Sequence, residues 1–496
     1  MNLEEKIKKA IDFEANKLIL RYHAYHNRVH KEYQRKKIID SSLEKKLIQP
    51  DYWANNKGFN PFYVKKNSKC ISYSIAKKIA NNTYKPKAPI AKEIPKLNNG
   101  KRLISIYEIP DAAISKMYYK RLLAKNIHRF SAFSYAYRYD KNVHFAIQDI
   151  SIDICQDKRI FIAEFDFSNF FGSISHDYLK DQYNKNGFYI SDEEKFIINS
   201  FLENTSCGIP QGTSISLFLA NLVCWKLDAN FQKEGLKFAR YADDTIIWSP
   251  DYKKICRAFN IINEFSLDTK ININIEKSEG ISILTRKGLP SEFKSKNNIN
   301  FLGYSISVDN ISIKHDSINK IKKQISYLLY KNLIQPLKGK ILKNITIPAN
   351  NKDKDLLTAI MQINRYMYGG LNNNILKDYI NGRTKRIYFK GIMSFYPLVN
   401  DETQLKSLDG WMTAIIYRII RLRFKLLKNR GFDCSNTFPF NVQSKNIIRA
   451  FKTQKIDGKF LLEIPSFMLI YEVLKKGLNS YGISKVMNKK FLNYDY

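Results

Sequence analysis

The sequence predicts an α+β fold, with a small antiparallel sheet in mid-chain and helices on either side of it. Three observations carry that expectation. Residues 240–248, Arg-Tyr-Ala-Asp-Asp-Thr-Ile-Ile-Trp, read as a β-hairpin. One strand runs through Phe238 and Tyr241, the turn is Ala242-Asp243-Asp244, and a buried strand follows through Ile246, Ile247 and Trp248. Ile160 to Phe165 is a second strand pattern that ends at Asp166. Further on, Ile318, Ile321, Ile325, Leu328 and Leu329 share one helical face, while Lys320, Lys322 and Lys323 lie largely elsewhere.

Along the chain, a charged helix is expected from Leu3 to Leu20, with helical signals continuing toward Lys46. Asn55-Asn56-Lys57-Gly58-Phe59-Asn60-Pro61 marks a loop. Pro86 to Pro95 leads into two arms joined by an Asn98-Asn99-Gly100 turn. Ser168 and Asn169 suit a turn or helix start after Asp166. Gly208, Pro210 and Gly212 shape a backbone turn, and Ser216 to Asn221 opens a helix. Helical patterns dominate the rest. The expected divisions are a helical N-terminal extension (1–80), a central unit (81–305), a helical region (306–430) and a helical C-terminal extension (431–496).

The carboxylates carry the chemistry. Adjacent Asp243 and Asp244 repel each other unless a cation lies between them. Hard oxygen ligands point to Mg²⁺, with Mn²⁺ as the substitute. Turn chemistry accounts for an Asp pair equally well, because Asp bonds its own backbone. Asp166 is either a helix cap or a third metal ligand brought alongside by sheet pairing. Three acids holding two ions are what nucleotidyl transfer requires.

At these residues the chain resembles the reverse transcriptases, in particular the bacterial branch of group II intron, retron and defence-associated enzymes. Asp166 matches the first catalytic Asp, and Tyr241-Ala242-Asp243-Asp244 matches the YxDD signature. Phe171, five residues after Asp166, stands at the family's steric gate against ribonucleotides. Residues 208–221 follow the GxPQGxxxSxxLxN block, which sets Gln211 against the incoming nucleotide. Lys96 and Arg102 lie where the family grips the triphosphate, a task suited to a bidentate Arg and a point-charge Lys. Lys277, in Asn274-Ile275-Glu276-Lys277-Ser278, corresponds to the Lys near departing pyrophosphate, as proton donor or as neutralising charge. Tyr135-Ala136-Tyr137-Arg138 resembles a second block, with Arg138 near the template. Phe301-Leu302-Gly303-Tyr304 resembles the primer grip, which makes Gly303 and Tyr304 nucleic-acid contacts. These blocks span residues 90–305. A looser likeness to the thumb of group II intron enzymes covers 405–424 and offers Arg418 and Arg421 to a nucleic-acid backbone. The resemblance implies a right-hand polymerase with fingers, an RRM-like palm of antiparallel sheet plus helices, and an α-helical thumb and C-terminal region.

The 496 residues are 44% hydrophobic and 13% aromatic, a globular composition, with a net charge of +36. That excess of Lys and Arg predicts salt-sensitive binding to phosphate backbones. No apolar run approaches a membrane span, and no signal peptide is evident. Six scattered cysteines with no CxxC pair argue against zinc modules and disulfides and favour a reducing cytoplasm. The expected activity is RNA-directed DNA polymerisation with two Mg²⁺ ions, using dNTPs and an RNA template and releasing a DNA product. The retron elements NAxxH and VTG are missing, and so is a Cys- or His-rich endonuclease pattern. A polymerase core with a helical extension is similar to the defence-associated enzymes. That likeness implies a dedicated non-coding RNA and is compatible with homo-oligomers. The alternatives are untemplated or protein-primed synthesis, with Tyr494 or Tyr496 as primer hydroxyl, and a maturase or RNA-binding splicing factor.

Overall fold

The computed structural model describes residues 2–37, 44–95, 101–155, 159–203, 205–278, 280–291, 294–338, 347–349, 352–456, 459–460 and 463–489. Strands β1 (Ile90–Pro95) and β2 (Lys101–Ile106) pair antiparallel from Ile90↔Ile106 to Pro95↔Lys101, as the two arms predicted. The Asn98-Asn99-Gly100 turn and Lys96 lie outside the described residues.

The central sheet contains β3 (Ile160–Phe165), β4 (Lys237–Tyr241), β5 (Asp244–Ser249), β6 (Gly280–Leu284) and β7 (Ser295–Lys296), in the order β4-β5-β3-β6-β7. All pairs are antiparallel except β6 with β7. Period-two alternation divides the side chains between two faces. Ile160, Ile162, Ala239, Ile246 and Trp248 enter one apolar cluster. Ala163, Phe165, Phe238 and Ile247 enter the other. Both faces are covered, which is why β3 and β5 read as nearly continuous apolar runs.

The second face carries the helices Ile215–Val223 and Tyr252–Thr269 together with Ile109–Asn126. Against Ile109–Asn126 packs the first helix, which is unbroken from Leu3 to Lys37 and buries Ile7, Ile11 and Ala15 at four-residue spacing. The first face carries the helix Val143–Ile154 and a meander of β8 (Ile299–Phe301), β9 (Tyr304–Ile306) and β10 (Ile311–Ile313). Helices His315–Leu329, Lys354–Tyr368, Glu402–Lys428 and Phe467–Tyr481 continue the same cluster. The division expected at 430 therefore crosses one continuous core. Asp409 accepts hydrogen bonds from Ser466 Oγ (2.6 Å) and Phe467 N (2.6 Å), which ties the last long helix to Glu402–Lys428.

Candidate active site

Sheet register assembles the acids. Phe165 pairs with Thr245, so the next residue along β3, Asp166, comes across from Asp244 at the start of β5. Tyr241 pairs with Asp244, which leaves Ala242 and Asp243 as a two-residue turn. Ala242 takes a left-handed conformation, with φ of 62°. A residue with a Cβ is rarely found there, and the strain must be offset by its surroundings. Arg240 supplies part of that. Its Nη1 donates to the Ala242 carbonyl at 2.9 Å, while Nε and Nη2 grip Asp228 at 2.7 and 2.6 Å. Ser134 Oγ accepts a further bond at 2.7 Å. Burial works against the guanidinium's charge, but the Asp228 carboxylate overrides it and holds Arg240 above its ordinary range. Sequence reading missed this support. An arginine between Ala239 and Tyr241 in a buried strand was its one visible sign.

Beyond Asp166 the chain is joined by residues 272–278. Asn274 N donates to the Asp166 carbonyl (2.8 Å), and Ser168 N to that of Asn272 (2.8 Å). That contact delivers Asn274 Nδ2 (3.0 Å) and Lys277 Nζ (2.8 Å) to Asp166 Oδ2. The carboxylate in turn raises the Lys277 pKa, mainly through the hydrogen bond.

The three acids line a cleft of about 870 Å³ together with Arg102, Phe171, Gln211 and Lys277. Two glycines close its wall. At Gly212, φ is 121° and a Cβ would fall 2.2 Å from the Ser105 carbonyl oxygen. At Gly208, φ is 81° and a Cβ would fall 2.7 Å from that of Gly172. Backbone bonds from Ile209 N to Phe171 O (2.7 Å) and from Ser105 N to Gln211 O (2.6 Å) then lock this loop between β2 and the turn after β3. The Phe171 ring sits edge-on to Phe170 at 5.6 Å.

Burial, followed by the charge of Asp166, raises the Asp243 carboxyl above its usual range, while Arg102 and Lys277 pull the other way. Asp244 is pushed up to about 7 by its sunken setting and by Asp243, Asp166 and Glu164. Its surface still meets solvent at the cleft mouth, so the like charges are the firmer part of that cause. Among the described residues no three His, Cys, Asp or Glu side chains converge as a metal cage. Lys277 instead neutralises Asp166. The donor set suits a hard divalent cation in its chemistry, with three carboxylates in one cleft, where the charge of Asp166 adds to the raised pKa of Asp243 and Asp244.

The other expected residues lie elsewhere. Lys96 is outside the described residues. Arg138 is buried, with its guanidinium spent on Asp140 (3.0 and 2.7 Å) and on the Ser131 carbonyl (2.7 Å), which leaves it no face toward a template. Leu302 (φ 49°) and Gly303 (φ 88°) form the tight turn between β8 and β9. Leu302, not Tyr304, reaches the cleft. Tyr304 is fully buried, and its hydroxyl meets His144 Nδ1 (3.0 Å) and the Phe395 carbonyl (3.3 Å). Arg418 and Arg421 are exposed on Glu402–Lys428, away from the cleft lining, and Arg421 Nη1 donates to the Phe440 carbonyl (3.2 Å).

Residues 94–306 match the family model described as reverse transcriptase (RNA-dependent DNA polymerase). The chain is 27% identical over 175 residues to the retron Ec86 reverse transcriptase of Escherichia coli, covering 34% of this chain and 49% of that protein. It thus spans about half the length of the curated relative it matches. Among solved structures it is similar to apo telomerase from Candida tropicalis truncated of its C-terminal domain (15% identity, 46% of this chain, 55% of that chain, TM-score 0.34). It is also similar to telomerase from the same organism in complex with a TWJ fragment of telomeric RNA (12% identity, 92% and 73% covered, TM-score 0.38). Those two likenesses are too distant to carry an argument. The acids in register and the glycine-closed wall lie within residues 94–306, the stretch that matches the reverse transcriptase family model and that resembles a bacterial retron reverse transcriptase.

Proposed function

We propose that this chain is an RNA-directed DNA polymerase that works by two-metal nucleotidyl transfer. The observation that carries this reading is the register that brings Asp166 beside Asp243 and Asp244 in a cleft also lined by Arg102, Gln211, Phe171 and Lys277. Asp166, Asp243 and Asp244 are the oxygen donors that would hold Mg²⁺. Such ions, when bound, would supply Lewis acidity toward the primer 3′-oxygen and positive charge toward the leaving pyrophosphate. Arg102 binds the triphosphate by forked contacts. Gln211, fixed through its backbone to β2, bears on the nascent base pair, and the Phe171 ring bears on the sugar 2′ face. Lys277 is held protonated by Asp166. A raised pKa makes it a weaker acid, which favours charge neutralisation over proton donation.

The setting in this reading is bacterial antiviral defence, with a dedicated non-coding RNA as template. It is supported by the retron relative and by a polymerase core that continues into a helical extension. The test is purification with bound nucleic acid, addition of Mg²⁺ and labelled dNTPs, and sequencing of RNA and product. DNA complementary to one co-purified RNA is expected. Simple-sequence DNA unrelated to that RNA, or DNA attached to protein, would instead support untemplated or protein-primed synthesis. Asp243→Ala should abolish incorporation, and continued polymerisation would refute the acid assignment. Phe171→Ala should raise ribonucleotide incorporation in a competition assay, and unchanged selectivity would remove the gate role.

A further inference from the structure

A second cavity, of about 620 Å³, lies outside the catalytic cleft. Three separate helical segments line it, each with one face. Tyr25 and Arg28 come from the first helix, spaced i, i+3. Gln324 comes from His315–Leu329, and Lys331 from the π-helical turn Tyr330–Ile334 that continues it, seven residues on. Arg365 and Tyr366 come from Lys354–Tyr368. Among the described residues no carboxylate lines the cavity. Arg28, Lys331 and Arg365 are exposed, and none has a salt-bridge partner among the described residues. Arg28 lies over the Tyr25 ring at 5.7 Å.

We propose that this trough, walled by the N-terminal helix and the two helices that follow β10, binds a single-stranded segment of RNA through its phosphates and stacks bases on its tyrosines. Three exposed cations around one hollow recruit phosphates, and aromatic rings beside them suit unpaired bases, whose π-faces are free. A duplex keeps its bases stacked inside and offers such a trough only its backbone. A membrane surface calls for exposed apolar side chains on an amphipathic face, whereas here the cations are exposed and the apolar Val29 and Leu328 are half-buried. Leu302 stands on the cleft wall, and a Cβ on the next residue, Gly303, would meet the Tyr396 ring at 3.5 Å. Burial raises the Tyr366 hydroxyl to about 12, and the neighbouring Tyr396 adds to it. Tyr396 thus neighbours both the turn beside the cleft and the Tyr366 edge of the trough, and a strand leaving the cleft past Leu302 would reach the trough from that side. The proposal rests on the polymerase reading for the direction from which that strand arrives.

The test is equilibrium binding of a fluorescein-labelled, mixed-sequence single-stranded RNA of about 16 nucleotides to the full chain and to an Arg28→Gln/Lys331→Gln/Arg365→Gln variant across a salt series. All three positions are exposed, so the variant should melt as the native chain does. Loss of three phosphate contacts should weaken binding about tenfold or more and reduce the slope of log affinity against log salt by about 2. Tyr25→Ala should weaken it about fivefold with the slope unchanged, because stacking releases no counterions. An unchanged slope in the triple variant overturns the site. So does a loss confined to a blunt RNA duplex, or to vesicles of anionic lipid. Because the readout is binding, the two readings fail separately. A native chain that binds RNA through these cations yet incorporates no dNTP leaves the trough standing and removes the polymerase. A chain that polymerises with an unaltered salt slope does the reverse.

Discussion

His144 shows how a single residue can couple the meander to the chain's response to pH. It is fully buried and faces the Tyr304 hydroxyl. Burial lowers its pKa from 6.5 to about 4. The unfolded chain therefore takes up a proton near pH 6.5 that the folded chain refuses until about pH 4. Between those values the unfolded state binds more protons, so stability rises with pH and is lost as pH falls through the window. Between pH 7 and pH 4 the raised Asp111 and Asp244 carboxyls act in the opposite sense, so the expected result is a difference: as pH falls, the urea midpoint should fall less, or rise more, in His144→Gln than in the native chain. An equal slope in the variant would place the titration elsewhere. Arg240 makes the same point for the acids. Its contacts with Asp228, Ser134 and Ala242 let a left-handed alanine sit between Tyr241 and Asp243.

Elements meet here through backbone, and glycine decides where they can. The loop before Ile215–Val223 approaches β2 so closely that Gly212 has no room for a methyl group. Gly212→Ala should cost about 1–3 kcal/mol through backbone strain alone and shift Gln211 relative to Asp243. Thermal melts should show the cost, and the KM for dNTP should rise. A variant with native melting and native KM would refute the close approach. The strand signals at 160–165 and 238–248 were legible because sheet alternation and burial coincide there. The short strand β7 and the meander strands were less so, because two- and three-residue strands carry too few side chains for a period to show.

At the scale of the molecule, one apolar cluster runs from Tyr135 to Val486, so the region after the sheet is energetically part of it. Arg423 pins that region. Its guanidinium is 1% exposed and bonds Asp353 (2.8 Å), Asp355 (2.8 Å) and the Leu333 carbonyl (2.9 Å). Arg423→Met leaves the buried Asp353 unpaired and should cost about 3–5 kcal/mol. Arg418→Gln, on the exposed face of the same helix, should stay within about 0.5 kcal/mol. Calorimetry on both variants decides it, since equal melting would mean that the ion pair contributes nothing. Among the described residues no helix is long and apolar enough to cross a membrane.

The sequence by itself determined the strand–turn–strand that carries Asp243 and Asp244, the strand that ends at Asp166, the glycine loop and the predominance of helix afterwards. Each of these is written in local periodicity or turn chemistry. Tertiary structure alone decided which arginines face solvent. Arg138, Arg240 and Arg423 are as basic in sequence as Arg102, Arg28 and Arg365, yet the first three are consumed inside the fold by Asp140, Asp228 and Asp353. Partners 2, 12 and 70 residues away are chosen by packing. A charge's meaning depends on whether a carboxylate or water meets it, and no local pattern records that.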